Sequence, residues 1–132
     1  MTKRIDEELA LLRQHYPDLE YQPDGQWVRI PGYEIRTAGW SPSPTEVAFQ
    51  VPTAYPGTPP YGFYVPAGIR YNGDTPTNYK EPAPSGPPFE GSWGIFSWQP
   101  QQDHWRPTAS VTAGVNLLTW VRGFAKRFSD GL

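Results

Sequence analysis

Apolar residues recur at two different periods along this chain. In "TKRIDEELALLRQH" (2–15), Ile5, Leu9 and Leu12 fall at i, i+4 and i+7, a single apolar stripe that predicts a helix. Asp6, Glu7 and Glu8 suit the positive N-terminal end of that helix, and Pro17 stops it. The period then shortens. "QWVRI" (26–30) and "YEIRT" (33–37) flank the turn-forming pair Pro31-Gly32 and read as a hairpin-like unit. "TEVAFQVP" (45–52) puts Val47, Phe49 and Val51 on one face of a half-buried strand, and "YGFYVP" (61–66) reads as a further strand. Four short strands in sequence, each followed by turn chemistry, predict an antiparallel meander.

From about 71 to 104 the periodicity disappears, and Pro76, Pro82, Pro84, Pro87, Pro88 and Pro100 interrupt the chain. Tyr71, Tyr79, Phe89, Trp93, Phe96 and Trp98 argue against disorder, so this stretch reads as a long ordered loop packed on the sheet. Helical spacing returns in "PTASVTAGVNLLTWVRGFAKRF", through Val111, Val115, Leu118, Val121, Phe124, Ala125 and Phe128. Thr108 or Ser110 can cap this helix, Gly114 weakens it, and Lys126 and Arg127 suit its last turn.

Composition narrows the choices. A length of 132 residues fits one α+β domain over 1–132, large enough to bury a core. The net charge of -2 offers no basic stripe for nucleic acid. No run approaches the roughly eighteen apolar residues of a membrane helix, and the acidic start does not suit a signal peptide, so a cytoplasmic protein is expected. The absence of cysteine excludes disulfides, thiolate metal sites and thiol nucleophiles. Two histidines, His15 and His104, are too few for a histidine-built metal site, and no cofactor is implied. Six tryptophans and eight tyrosines raise the alternative of an aromatic binding platform for sugars or proline-rich peptides. Trp27, Trp105 and Trp120 stand in expected strand or helix contexts, where core packing is the default.

Two motifs in order carry a resemblance. "FQVPTAYPGTPPYGFYV" (49–65) holds Tyr55-Pro56 and then Pro59-Pro60 between two strands, and "WRP" supplies Trp105 and Pro107 ahead of the long apolar helix. This pattern resembles the ubiquitin-conjugating enzymes, most closely their compact bacterial branch, over about residues 2–128. The resemblance implies an N-terminal helix, a four-stranded meander, an irregular active-site loop and a central helix. It implies acyl transfer from an activating enzyme, through a ubiquitin-like protein bound as an ester, to an amine on a target protein. In that family the first helix meets the activating enzyme, which makes Lys3, Arg4 and Arg13 docking candidates.

The family's catalytic cysteine lies eight residues before the tryptophan of this Trp-x-Pro motif, which places Ser97 at the acyl-acceptor position. Where the family carries His-Pro-Asn, this chain has Pro88 and Phe89 over the Pro-Asn positions. Oxyanion stabilisation is therefore unassigned, with Asn72 and Asn78 further back in the chain. A serine hydroxyl needs a positioned base, and Asp103 and His104 are the nearest titratable groups; His104 also reads simply as a surface residue before the helix. Three readings of Ser97 stand open: a native nucleophile forming an oxyester, a substitution for cysteine that traps the intermediate, or a small residue in a non-catalytic binding module. A serine hydrolase built on Ser97 and His104 would lack the Gly-x-Ser-x-Gly elbow.

Overall fold

The structure, a computed structural model, describes residues 3–42, 44–55, 57–58, 60–83, 86–97 and 114–130. It is α+β: helix α1 (Lys3–His15) packs against helix α2 (Leu117–Ser129), and α2 packs on an antiparallel six-stranded sheet. In chain order the strands are β1 (Glu20–Gln22), β2 (Trp27–Tyr33), β3 (Trp40–Ser41), β4 (Thr45–Gln50), β5 (Phe63–Pro66), β6 (Arg70–Tyr71), β7 (Tyr79–Lys80) and β8 (Trp93–Phe96). The large sheet runs β1-β2-β4-β5-β8-β7, while β3 and β6 pair separately. Among the described residues no helix is long and apolar enough to cross a membrane.

The α1 stripe behaves as its spacing requires, with Ile5, Leu9 and Leu12 buried. Glu8 does not act as a surface charge at the helix start. Its position, three residues after Ile5 and four before Leu12, puts it on the apolar face, and it is fully buried.

The expected hairpin at Pro31-Gly32 is a bulge instead. β2 runs through the pair, and three steps from Ile30 to Tyr33 face two from Val47 to Thr45 on β4. Gly32 adopts a φ of 67°, which lets it absorb the extra residue and keep the strand going. Residues 34–37 consequently leave the sheet, and β2 makes its hairpin with β1, across a turn closed by Gln26 N–H donating to the Pro23 carbonyl at 3.1 Å.

On β4, Val47 and Phe49 are buried, and Val51 just beyond the strand is buried as well. Val28↔Phe49, Ile30↔Val47 and Phe63↔Phe96 are cross-strand partners on one sheet face. That face meets α2, where Phe124 stacks on Phe63 with ring centroids 4.1 Å apart and Trp120 meets Phe49 edge-on. Such ring pairs contribute about 0.5–1.5 kcal/mol each beyond area burial.

Helix α2 begins later than the apolar spacing suggests. Gly114 has a φ of 72° and Asn116 is extended, so neither continues a helix. The Asn116 side chain accepts from Thr119 N–H while the Thr119 hydroxyl accepts from Asn116 N–H, a reciprocal capping box. Thr108 and Ser110, the expected caps, lie outside the described residues.

The 71–104 stretch is not wholly irregular. β7 and β8 lie within it, and β8 pairs with β5 from Phe63↔Phe96 to Pro66↔Trp93. The four-residue "WGIF" is too short to show a period between its proline-rich flanks. Its ladder to β5 nevertheless gives it a place inside the sheet.

Candidate functional site

Ser97 is the residue after the last position of β8. Phe96, immediately before it, is buried among rings. Its ring centroid lies 5.1 Å from that of Phe63, 4.9 Å from Tyr79 and 5.8 Å from Phe128. The Arg127 guanidinium sits 4.7 Å over its face. Strand alternation turns the next side chain away from this core, and Ser97 is exposed. Its main chain is anchored by its N–H, which donates to the Asn78 carbonyl at 2.8 Å. Among the described residues its hydroxyl has no hydrogen-bond partner.

The segment beside Ser97 is held from two directions. Arg127, buried on α2 rather than solvated in its last turn, donates from Nη2 to the Thr77 carbonyl at 2.6 Å. Its position, seven residues after Trp120 and three after Phe124, sets it on the core-facing stripe. Tyr79 lies over Gly94 of β8, where any side chain at position 94 would collide with its ring. The Tyr79 phenol is pushed up by burial and by its bond to Glu81.

Glu81 accepts from Arg70 Nη2 at 2.5 Å, Gly68 N–H at 2.6 Å and the Tyr79 hydroxyl at 2.8 Å. The Arg70 bond above all, opposed by partial burial and aided by Gly68 and Tyr79, holds the Glu81 carboxyl down at about 2. Asn78 therefore stands between two fixed neighbours, with a left-handed φ of 52°.

Asn72, the other candidate, belongs elsewhere. Its N–H donates to Gly39 at 2.7 Å, at the β3–β6 pair. Phe89, over the family's asparagine position, is half-buried and packs on Trp93, whose Nε1 donates to the Phe89 carbonyl at 3.2 Å.

Tyr55 has a structural partner that turn chemistry does not suggest. It is buried, and its hydroxyl donates to Glu8 Oε1 at 2.6 Å. The same oxygen accepts from Leu117 N–H, the first of α2, also at 2.6 Å, while Arg4 Nε donates to Oε2 at 2.7 Å. Burial first, then the Glu8 bond and charge, push the Tyr55 phenol far above its ordinary value. Glu8 thus places a carboxylate at the positive end of α2.

Of the expected docking residues, Arg4 is not a free surface cation but is half-buried against Glu8; Arg13 is exposed, and Lys3 is the first residue of α1. Pro60 is buried beside the end of the Tyr-Pro…Pro-Pro turn. Pro56, Pro59, Trp98, Asp103, His104, Trp105 and Pro107 lie outside the described residues. Trp27, Trp40, Trp93 and Trp120 are all buried, which supports core packing over an exposed aromatic platform. Among the described residues no group of three histidine or acidic side chains could hold a metal ion. Comparison with protein-family models, with curated proteins and with solved structures returns no match.

Proposed function

We propose that the chain is a ubiquitin-conjugating-enzyme-like acyl carrier of a bacterial ubiquitin-like conjugation pathway, with Ser97 as the acceptor. Ser97 carries this reading, because its place eight residues before the Trp105 motif coincides with an exposed hydroxyl on an anchored main chain. In the first transfer its oxygen attacks the thioester carbonyl presented by the activating enzyme. A C–O bond forms, the C–S bond breaks, the thiol departs, and the hydroxyl proton passes to a base for which Asp103 and His104 are the candidates. In the second transfer a target amine attacks the oxyester, forming the amide and returning the hydroxyl to Ser97. Arg13 and Lys3 on α1 are the proposed contacts to the activating enzyme, and Arg4 positions α1 through Glu8.

The test mixes the protein with its activating enzyme, its ubiquitin-like partner and ATP, and separates the products on gels with thiol or hydroxide. An adduct that survives thiol, is cleaved by hydroxide and is absent in Ser97→Ala is the expected outcome. A Ser97→Cys form giving a thiol-sensitive adduct, with none for serine, would assign the position to a natural cysteine. Absence of any adduct in both forms would leave a binding module for the ubiquitin-like protein. Asn78→Gly keeps the positive φ and removes the amide, so a slower transfer in that variant identifies the Asn78 side chain as an oxyanion donor.

A further inference from the structure

A second region has the form of a ligand site. After the Gly32 bulge β2 ends at Tyr33 and residues 34–37 leave the sheet, and a cavity of about 520 Å³ lies between this segment, the end of α1 and α2. This volume lies in the range of small-molecule sites. Arg36 reaches it from the segment after β2 and Arg122 from α2. Among the described residues neither guanidinium has a hydrogen-bond or ion-pair partner, although Glu34 lines the same cavity. Among the described residues every other arginine except Arg13 is committed: Arg4 to Glu8, Arg29 to Glu20 and Glu46, Arg70 to Glu81, Arg127 to Thr77.

Apart from His15, Glu34 and Thr37, the rest of the lining is aromatic or apolar. Tyr16 is half-buried, and both Arg36 and Arg122 act electrostatically on its phenol, which burial otherwise pushes up. Tyr33 and Phe128, with ring centroids 5.9 Å apart, form a buried wall, and Ile35 is buried beside them. Two open forks of donors converge on one mouth, and rings supply the floor.

From this juxtaposition of unpaired arginines and an aromatic floor we infer that the cavity is a binding site for a small, ring-bearing oxyanion, an aromatic phosphate or carboxylate. The guanidiniums take the oxyanion through charge-assisted, bidentate bonds, and the ring lies against Tyr33 and Phe128. Phe128 is shared with the rings around Phe96, but the arginines and the chemistry are separate from Ser97, so the site stands or falls independently of acyl transfer.

Phenyl phosphate is the probe, with inorganic phosphate and phenol as its two halves. Titration followed by calorimetry and by backbone amide shifts is expected to show saturable binding of phenyl phosphate, with the shifts concentrated at residues 15–16, 32–37 and 122–128. Inorganic phosphate is expected to bind more weakly and phenol more weakly still. Arg36→Gln and Arg122→Gln alter exposed side chains and are each expected to lower the affinity about tenfold or more, the worth of a charged hydrogen bond, with the thermal midpoint unchanged. Phenol binding as tightly as phenyl phosphate, or an affinity that survives the double variant, overturns the proposal, as does a set of shifts lying elsewhere on the fold.

Discussion

The two ends of α2 are held in opposite ways. At its start, Leu117 N–H donates into Glu8, a carboxylate that no solvent reaches, and Tyr55 and Arg4 complete the knot. At its end, Arg127 bonds the Thr77 carbonyl, and the carbonyl of the next residue, Asn78, holds Ser97 N–H in the open. The first arrangement satisfies a buried charge on all sides and leaves nothing for a ligand. The second fixes a main chain from behind and leaves a hydroxyl facing out. The sealed charge fixes the position of a helix, whereas among the described residues the exposed Ser97 is fixed through its backbone alone.

The largest expected effect comes from the sealed end. Glu8→Ala removes at once the acceptor shared by the Arg4 guanidinium, the Tyr55 hydroxyl and the Leu117 N–H, and is expected to cost about 3–5 kcal/mol in urea unfolding. Tyr55→Phe removes one donor and leaves the carboxylate otherwise paired, so about 1.5 kcal/mol is expected. If Tyr55→Phe proved as costly as Glu8→Ala, the phenol rather than the buried charge would be the centre of the knot.

At the open end, Arg127→Met keeps the apolar stem while removing the bond to Thr77 and the cation over Phe96. An expected loss of about 2 kcal/mol follows from a charged hydrogen bond and a partly desolvated cation–π contact. The sharper measurement is hydrogen exchange. The Ser97 amide is expected to exchange faster in this variant, with the Leu117 amide unchanged. Equal acceleration at both would mean that α2 responds as one body and that its two ends are not separately held.

The regular parts of this fold were legible in the chain because they rest on repetition. The α1 stripe and the alternation of Val47, Phe49 and Val51 each repeat often enough to declare a period and a buried face. Pro31-Gly32 misled because the same dipeptide chemistry serves a turn and a bulge, and only the partner strand decides between them. β8 was hidden because four residues between prolines carry no period, although β5 was waiting as its partner. The start of α2 was misplaced because apolar spacing continues through Val115, whereas the Gly114 backbone and the Asn116 cap end the helix regardless of spacing. Ser97 was singled out by its distance from Trp105 in the sequence. Asn78, Arg127 and Glu8 gain their roles from contacts 19, 50 and 109 residues away along the chain, which local pattern does not contain. The signal that was available was a charged residue, Glu8 or Arg127, falling on an apolar stripe.

The smallest expected effect sets a second carboxylate against Glu8. Glu81 is only partly covered, and it ties Arg70, Gly68 and Tyr79 together beside the Ser97 segment. The Arg70 bond, more than any other partner, lowers its carboxyl from an ordinary 4.5 to about 2. A group depressed in the folded state adds stability that is fully present above its unfolded value and lost as pH falls through its folded value. The contribution of Glu81 is therefore expected in full above pH 4.5 and is lost progressively down to about pH 2. Because other carboxylates titrate in the same window, the measurement is the difference in urea midpoint between the protein and Glu81→Gln. That difference is expected to be small and constant near neutrality, to close between pH 4.5 and about 2, and to shrink with added salt, since this pair is within reach of solvent. A difference that persists at the acid limit would mean that Glu81 acts through its shape and hydrogen bonds rather than its charge, and the contrast with sealed Glu8 would then be one of packing alone.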